Sequence, residues 1–225
     1  MNQTLVVDID GTLTNPDQTI DPRVFQPLRE WEGIVIIATG KALPYPIALC
    51  QFIGIPFRVI AENGGIACHE NSLEYHGDRE AVTTVIDEYK AEGHSLGWSS
   101  VEFVNRWRET EIAVSRDSPL SPLKRLANQH DLEVVDSEYA YHVKSPAVSK
   151  GRALMWLADE LDFKLTETVA IGDSRNDISL FQEVGQAITL ANANSHVKEH
   201  ADVITTNAYG NGFLEAIEEI IKGDT

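Results

Sequence analysis

Two pairs of aspartates follow segments that the sequence predicts to be buried strands. Asp8 and Asp10 come directly after the apolar residues 5–7, and they point to the same side because side chains alternate along a strand. Asp173 and Asp177 follow a later apolar segment and lie four residues apart across the predicted start of a helix. Converging carboxylates repel one another unless a divalent cation lies among them, and hard oxygen ligands suit Mg²⁺. The sequence therefore predicts a Mg²⁺ site.

Groups that bind anions accompany these carboxylates. Thr39 and Gly40 follow the apolar residues 34–37, which places a hydroxyl and free backbone amides at the end of another predicted strand. Lys150 lies at the predicted start of a helix and adds a positive charge. Together with a cation, this set describes a site for a phosphate ester, in which a carboxylate attacks phosphorus to form an aspartyl-phosphate.

Each of these segments also has an ordinary structural interpretation. Residues 8–12 are rich in turn formers, Lys150 suits a solvated helix start, and residues 172–177 suit a helix-capping turn. Their joint occurrence at strand ends and a helix start of one chain favours the functional interpretation.

Apolar segments alternate with amphipathic helices at both ends of the chain. This alternation is typical of a doubly wound, parallel (Rossmann-like) α/β sheet, in which ligands bind at the carboxyl ends of the strands. The intervening residues contain short strands separated by helices, which indicates a smaller α/β domain with its own core. We therefore predict a catalytic core of residues 1–61 and 149–225 and an inserted cap of residues 62–148.

The composition excludes several classes of protein. The 225 residues are 43% hydrophobic and 24% charged, which argues against disorder, and no apolar run suits a membrane helix. The net charge of −17 argues against nucleic-acid and anionic-membrane partners, and it fits either a salt-rich cytoplasm or an ordinary acidic protein. Two cysteines and the lack of a secretory signal at the N-terminus favour a cytoplasmic protein. The oligomeric state is left open.

Four of the segments resemble the motifs of the haloacid dehalogenase superfamily of aspartate-dependent phosphatases. Residues 8–12 match its DxDGT motif, Thr39 and Gly40 its second motif, Lys150 its third, and residues 172–177 its GDxxND motif. The segment after residue 61 is similar to the α/β cap of the subgroup that contains Cof-type and sucrose-phosphate-type phosphatases. Among these, the overall pattern looks most like the archaeal phosphoglycolate phosphatases.

The resemblance implies roles for the residues that carry out the chemistry. Asp8 is the nucleophile and a Mg²⁺ ligand. Asp10 protonates the leaving alkoxide and then takes a proton from the hydrolytic water, and its backbone carbonyl also reaches the metal. Thr39 and the amide of Gly40 bind the phosphoryl oxygens.

The same resemblance assigns the groups that balance charge. Lys150 neutralises the phosphoryl group and the nucleophile, Asp173 and Asp177 hold Mg²⁺, and Asn176 helps to bind and orient the phosphate. An acid at Asp10 favours ester hydrolysis over dehalogenation, because an alkoxide needs a proton whereas a halide leaves without one.

The substrate expected from the resemblance is 2-phosphoglycolate, which would give glycolate and phosphate. A sugar-phosphate phosphatase of broad specificity is the main alternative, and a phosphomutase or a non-catalytic phosphosugar-binding module are further ones. A carboxylate on the substrate calls for a positively charged or donating group in the cap. The candidates there are Arg106, Arg108, Arg116, Lys144, His69 and His142.

Overall fold

The structure is a computed structural model that describes residues 3–99, 103–137 and 139–223. The strands in chain order are β1 (Thr4–Val7), β2 (Val35–Ala38), β3 (Val59–Ala61), β4 (Ile66–His69), β5 (Ser72–Tyr75), β6 (Ile112–Ser115), β7 (Glu133–Asp136), β8 (Ala140–Lys144), β9 (Thr168–Gly172), β10 (Gln186–Thr189) and β11 (Val203–Ile204). The helices are α1 (Phe25–Glu30), α2 (Pro44–Ile53), α3 (Arg79–Ala91), α4 (Leu120–Gln129), α5 (Lys150–Leu161), α6 (Ile178–Phe181), α7 (Ser195–Lys198) and α8 (Tyr209–Gly223).

The larger sheet has eight strands in the order β11-β10-β9-β1-β2-β3-β4-β5. The strands from β11 to β3 are parallel, which confirms the predicted α/β fold class, and β4 and β5 are antiparallel additions at one edge. Val7 at the end of β1 is level with Ile37 in β2 and Ile171 in β9. This register brings the residues that follow the three strands to one edge of the sheet.

Helices cover both faces of this sheet, which explains why its central strands are continuously apolar. Leu5 and Val7 of β1 pack with side chains of α1, α2 and α8 on one face. Val6 packs on the other face with side chains of α5, α6 and α7. Successive side chains of a strand point to opposite faces, so β1 contributes to both cores.

A second, antiparallel sheet has the order β6-β8-β7 and a core of its own. Val114 of β6 and Val143 of β8 pack with side chains of α3 and α4. His142 lies between two residues of that apolar face, and the alternation of a strand therefore places it on the opposite face.

The strands β4 and β5 belong to the larger sheet, although the sequence grouped them with the inserted segment. Gly64 turns the chain back after β3, with a φ of +98°, and a Cβ there would lie 2.1 Å from the carbonyl oxygen of Ser149. The chain then returns as β4, which pairs antiparallel with β3. The division into a core of residues 1–61 and 149–225 and a cap of residues 62–148 stays a prediction.

Within the described ranges, every helix is too short or too polar to cross a bilayer.

Replacing Leu157 with alanine is expected to lower the free energy of unfolding by about 2–5 kcal/mol, because it leaves a cavity between α5 and the sheet. Met155 lies on the same helix with 44% of its surface exposed, and Met155→Ala is the matched control with an expected loss below about 1 kcal/mol. Urea unfolding of both variants measures the difference. Equal losses would contradict the packing of α5 described above.

Candidate active site

The carboxylate of Asp8 lies at the end of β1 against a buried lysine. The ammonium of Lys150 is fully buried and donates to Asp8 Oδ1 at 2.7 Å and to Asp177 Oδ1 at 2.6 Å. Ser149 caps α5 by accepting from the backbone N–H of Arg152, which fixes the position of the lysine. Burial alone would lower the pKa of Lys150, but Asp177 and Asp8 outweigh it and raise that pKa above its ordinary value. Lys150 is therefore a fixed positive charge.

Asp173 is held by donors from two neighbouring loops. Thr12 Oγ1 donates to its Oδ1 at 3.1 Å, and Asn192 Nδ2 donates to its Oδ2 at 2.8 Å. Gly11 has a φ of +84°, and a Cβ there would lie 2.1 Å from Asp173 Oδ2. The backbone N–H of Asp173 in turn donates to Asp177 Oδ2 at 3.1 Å. The loops after β1 and β9 therefore fit together only with glycine at position 11.

Carboxylate oxygens of Asp8, Asp173 and Asp177 lie within 4.8 Å of one another. Burial, and then the charge of Asp177, raises the pKa of Asp173 to about 7. Burial also raises the pKa of Asp8 well above its ordinary value, although Lys150 opposes this shift. One ammonium does not balance three carboxylates, and the all-oxygen donor set fits a hard divalent cation. This cluster could therefore hold a metal ion.

Asp10 lies outside the carboxylate cluster, and its carboxyl group contacts Lys41. Lys41 Nζ lies 3.0 Å from Asp10 Oδ1, and both side chains are partly exposed. Asp8 and Asp10 nevertheless line one cavity, as expected for neighbours on one side of the chain. Metal ligation by the backbone carbonyl of Asp10 stays a prediction.

The loop after β2 presents a hydroxyl and an amide. Thr39 is buried, and its Oγ1 accepts from the backbone N–H of Lys41 at 3.1 Å. Among the described residues, no hydrogen bond uses the N–H of Gly40. A Cβ at Gly40 would lie 2.9 Å from Asn63 Oδ1, so glycine leaves space for the Asn63 side chain beside this loop. Such a loop suits the oxygens of a phosphoryl group.

A chain of amide and carboxylate contacts runs from the loop after β9 toward the second sheet. Asn176 Nδ2 donates to Asn63 Oδ1 at 2.8 Å, and Asn63 Nδ2 donates to Glu111 Oε2 at 2.9 Å. The side-chain oxygen of Asn176 is buried and has no partner within the part of the chain that the structure describes. Asn176 therefore keeps an acceptor inside the site.

Residues near the second sheet face the strand ends and form what we call the opposite wall. Glu111 connects them. Its Oε1 accepts from Arg108 Nη1 and lies 2.7 Å from His142 Nδ1, while His142 Nε2 lies 3.0 Å from Ser137 Oγ. Burial would raise the pKa of Glu111, but the charges of His142 and Arg108 and its hydrogen bonds hold that pKa at about 2. Arg108 Nη1 also donates to the carbonyl oxygen of Gly40 at 2.9 Å, which joins this wall to the core.

A cavity of about 110 Å³ lies between the strand ends and this wall. It is small beside the ~300–1,000 Å³ of sites that take drug-sized ligands. Its lining residues are Asp8, Asp10, Gln18, Gly40, Lys41, Arg108, Ser137, Tyr139, His142, Ser174 and Asn176.

Of the basic cap residues expected to meet a substrate, Arg108 and His142 line this cavity and the others do not. Arg106 is exposed, and Arg116 and Lys144 pair with carboxylates of the second sheet. His69 instead lies 3.5 Å from the Glu160 carboxylate on α5.

Sequence reasoning missed several residues of the site. Asn192 follows β10, so the strand-end argument applied to Asp173 would have found it. Glu111, Ser137 and Tyr139 carry no comparable signal, because they reach the site only when the second sheet packs over the first.

Comparisons with known proteins agree with the motifs. The family model described as haloacid dehalogenase-like hydrolase matches residues 5–105 and 121–217. A phosphoglycolate phosphatase of Natronomonas pharaonis is 50% identical over 216 residues, which cover 95% of this chain and 96% of that protein. One from Halobacterium salinarum is 50% identical, with 96% of each chain covered.

Solved structures share the fold. A crystal structure of Thermoplasma acidophilum 0175 superposes with a TM-score of 0.85 at 25% identity, covering 97% of this chain and 98% of that one. A haloacid dehalogenase-like hydrolase from Bacteroides thetaiotaomicron superposes with a TM-score of 0.80 at 24% identity, covering 98% and 100%.

The pKa of Glu111 predicts acid sensitivity of the fold. Because that pKa is about 2 in the folded chain and 4.5 ordinarily, its stabilisation is complete above pH 4.5 and is lost as the pH falls toward 2. The loss is on the order of 3 kcal/mol. Unfolding free energies measured between about pH 6 and 3 should fall more steeply for the wild type than for Glu111→Gln.

The exposed Glu219 offers the matched control, Glu219→Gln, which should keep the wild-type slope. Identical slopes for Glu111→Gln and the wild type would contradict the ionised, paired state of Glu111.

Proposed function

The chain belongs to the haloacid dehalogenase-like hydrolase family, and on that premise we propose that it hydrolyses 2-phosphoglycolate to glycolate and phosphate. One observation carries the proposal: Asp8 and Asp10 share a cavity of about 110 Å³ with the cap residue Arg108. The nucleophile, the acid and a cationic wall thus surround a space that suits a small anionic ester. The names of the Natronomonas pharaonis and Halobacterium salinarum relatives support this substrate.

In the first step, a carboxylate oxygen of Asp8 bonds to phosphorus and the bond from phosphorus to the ester oxygen breaks. The electron pair stays on the ester oxygen, which takes the proton of the Asp10 carboxyl and leaves as glycolate. In the second step, water attacks phosphorus and gives a proton to the Asp10 carboxylate. The bond between phosphorus and Asp8 then breaks, which releases phosphate and restores both carboxyl groups.

Fixed donors stabilise the transferring group. The hydroxyl of Thr39, the amide of Gly40 and the ammonium of Lys150 are proposed to bind phosphoryl oxygens, whose negative charge is greatest in the transition state. Lys150 also keeps the approaching nucleophile in place through its contact with Asp8. Asn176 is proposed to orient the phosphoryl group.

Asp8, Asp173 and Asp177 are proposed to hold Mg²⁺, with the backbone carbonyl of Asp10 as a further ligand. When bound, this ion neutralises negative charge on the phosphoryl group and the nucleophile. The proposal is supported by the oxygen donors within 4.8 Å and by the raised pKa values of Asp8 and Asp173.

The small cavity favours a two-carbon leaving group over the bulkier sugar phosphates. The presence of Asp8, Lys150 and both GDxxND carboxylates weighs against a binding module without catalysis. The cytoplasmic location expected from the sequence stays a prediction.

Phosphate release from a panel of esters tests the proposed function. The panel contains 2-phosphoglycolate, phosphoglycerate, pentose and hexose phosphates and p-nitrophenyl phosphate. We expect a strong preference for 2-phosphoglycolate, and we expect Asp8→Asn to lower the rate by roughly 10⁴-fold or more because it removes the nucleophile.

The control for this panel is Asp87→Asn, an equivalent change at an exposed position of α3, which should keep wild-type rates. Circular dichroism checks that each variant is folded. Comparable rates on sugar phosphates would overturn the substrate, and a folded Asp8→Asn protein that retains turnover would overturn the mechanism.

Binding of Mg²⁺ is expected to stabilise the fold. At a Mg²⁺ concentration 100 times its Kd, the free energy of unfolding should rise by about 2.7 kcal/mol. Asp173→Asn should make the Mg²⁺-dependent rise in the free energy of unfolding smaller. Without metal, this variant should be at least as stable as the wild type, because it lacks a repelling charge. Thermal unfolding with Mg²⁺ and with EDTA measures both effects, and EDTA should also stop phosphate release. Asp87→Asn is again the control, and a Mg²⁺ response of Asp173→Asn equal to that of the control would contradict the ligand set.

A further inference from the structure

We propose that Arg108 determines substrate specificity by binding the carboxylate of the leaving group through its Nη2 nitrogen. This inference rests on the proposed function, since it assumes a carboxylate-bearing phosphate ester at the site. Among the basic residues in the segment 62–148, it assigns the binding of the substrate carboxylate to Arg108.

The donors of Arg108 are only partly used. A guanidinium has five N–H groups. The Nε of Arg108 donates to the carbonyl oxygen of Val104 at 3.1 Å, and Nη1 donates to Gly40 and Glu111. Within the described ranges, no hydrogen bond or ion pair uses Nη2, and Arg108 lines the cavity that contains Asp8. Two donors on a charged group are thus available to an anion.

The position of Arg108 matches the dimensions of a short substrate. Its Nη1 lies 2.9 Å from the carbonyl oxygen of Gly40, the residue whose amide is proposed to bind the phosphoryl group. In 2-phosphoglycolate, only the ester oxygen and one methylene separate phosphorus from the carboxyl carbon. A group that binds this carboxylate must therefore lie directly beside the phosphoryl loop, as Arg108 does.

The guanidinium is fixed and largely buried before the substrate arrives. The Arg108 side chain is 5% exposed and the Glu111 side chain 1%. The Glu111 carboxylate is also shared with His142, whose Nδ1 lies 2.7 Å from Oε1, so Arg108 is not its sole partner. A planar, preorganised arginine is well suited to a carboxylate, and hydrogen bonds between charged groups are strong when water is excluded.

A purely structural role makes a different prediction. The contact with Gly40 also fastens the 108–111 segment to the core, so loss of Arg108 could disturb the site for every substrate. A structural role would lower the activity on all esters together. A role in binding the carboxylate would lower the activity on 2-phosphoglycolate most.

The test compares kcat/KM for 2-phosphoglycolate and for ethyl phosphate, which has the same two carbons and no carboxylate. The ratio of the two values should exceed one in the wild type. In Arg108→Gln it should fall roughly 10- to 100-fold, the range for a lost charge-assisted hydrogen bond. Arg108→Lys should restore part of the ratio because it keeps the charge without the planar fork.

Arg106→Gln is the matched control, an exposed arginine of the same segment, and it should keep the wild-type ratio. Since Arg108→Gln leaves the Glu111 carboxylate without its arginine partner and can fail to fold, the double variant Arg108→Gln/Glu111→Gln removes that charge as well. Thermal unfolding identifies which of these proteins are folded.

The outcomes separate this inference from the proposed function. A high wild-type ratio that survives in Arg108→Gln, or in the double variant, would overturn the role of Arg108 and leave the proposed substrate intact. A wild-type ratio near one would overturn the proposed substrate and the inference together. A high wild-type ratio that falls in the Arg108 variants and persists in Arg106→Gln would support both.

Discussion

A buried ammonium needs anionic partners, and Lys150 meets this need at the carboxyl edge of the sheet. Its side chain is inaccessible to solvent and contacts both Asp8 and Asp177. Because an unpaired charge in this position would be strongly destabilising, the lysine fixes the ends of β1 and β9 relative to α5. The same contacts gather more negative charge than Lys150 can balance, and this imbalance favours a cation at the proposed Mg²⁺ site. Folding and chemistry therefore depend on one set of charges.

The carboxyl edge of the large sheet and the opposite wall belong to one hydrogen-bonded network. Asn176, at the proposed phosphoryl site, bonds to Asn63, and Asn63 bonds to Glu111. Glu111 in turn positions Arg108 and His142. A change in how the second sheet packs over the first would consequently move Arg108, proposed to bind the leaving group, together with Asn176 at the proposed phosphoryl site. Hydrogen bonds therefore join the group proposed to recognise the leaving group to the residues proposed to bind phosphate.

The sequence was sufficient for the parts of the fold and site that depend on local pattern. Asp8 and Asp173 were predicted to meet because both follow buried strands, and parallel strands bring their carboxyl ends to one edge. The β4–β5 hairpin was grouped with the inserted segment, because its composition does not reveal that β3 has a free edge. The role of Glu111 depends on the packing of two sheets, and no local pattern encodes such packing.

Because the whole protein carries a net negative charge, an anionic substrate must be attracted by the few positive charges at the site. A net charge of −17 repels a substrate that carries both a phosphate and a carboxylate, although salt at physiological concentration screens this repulsion beyond about 8 Å. Lys41, Lys150 and Arg108 lie at or beside the cavity, two of them buried where screening is weakest. Attraction over short distances must therefore provide the affinity. The burial of Arg108 then matters more than its charge alone, because exposed arginines such as Arg106 carry the same charge in water, where it is worth little.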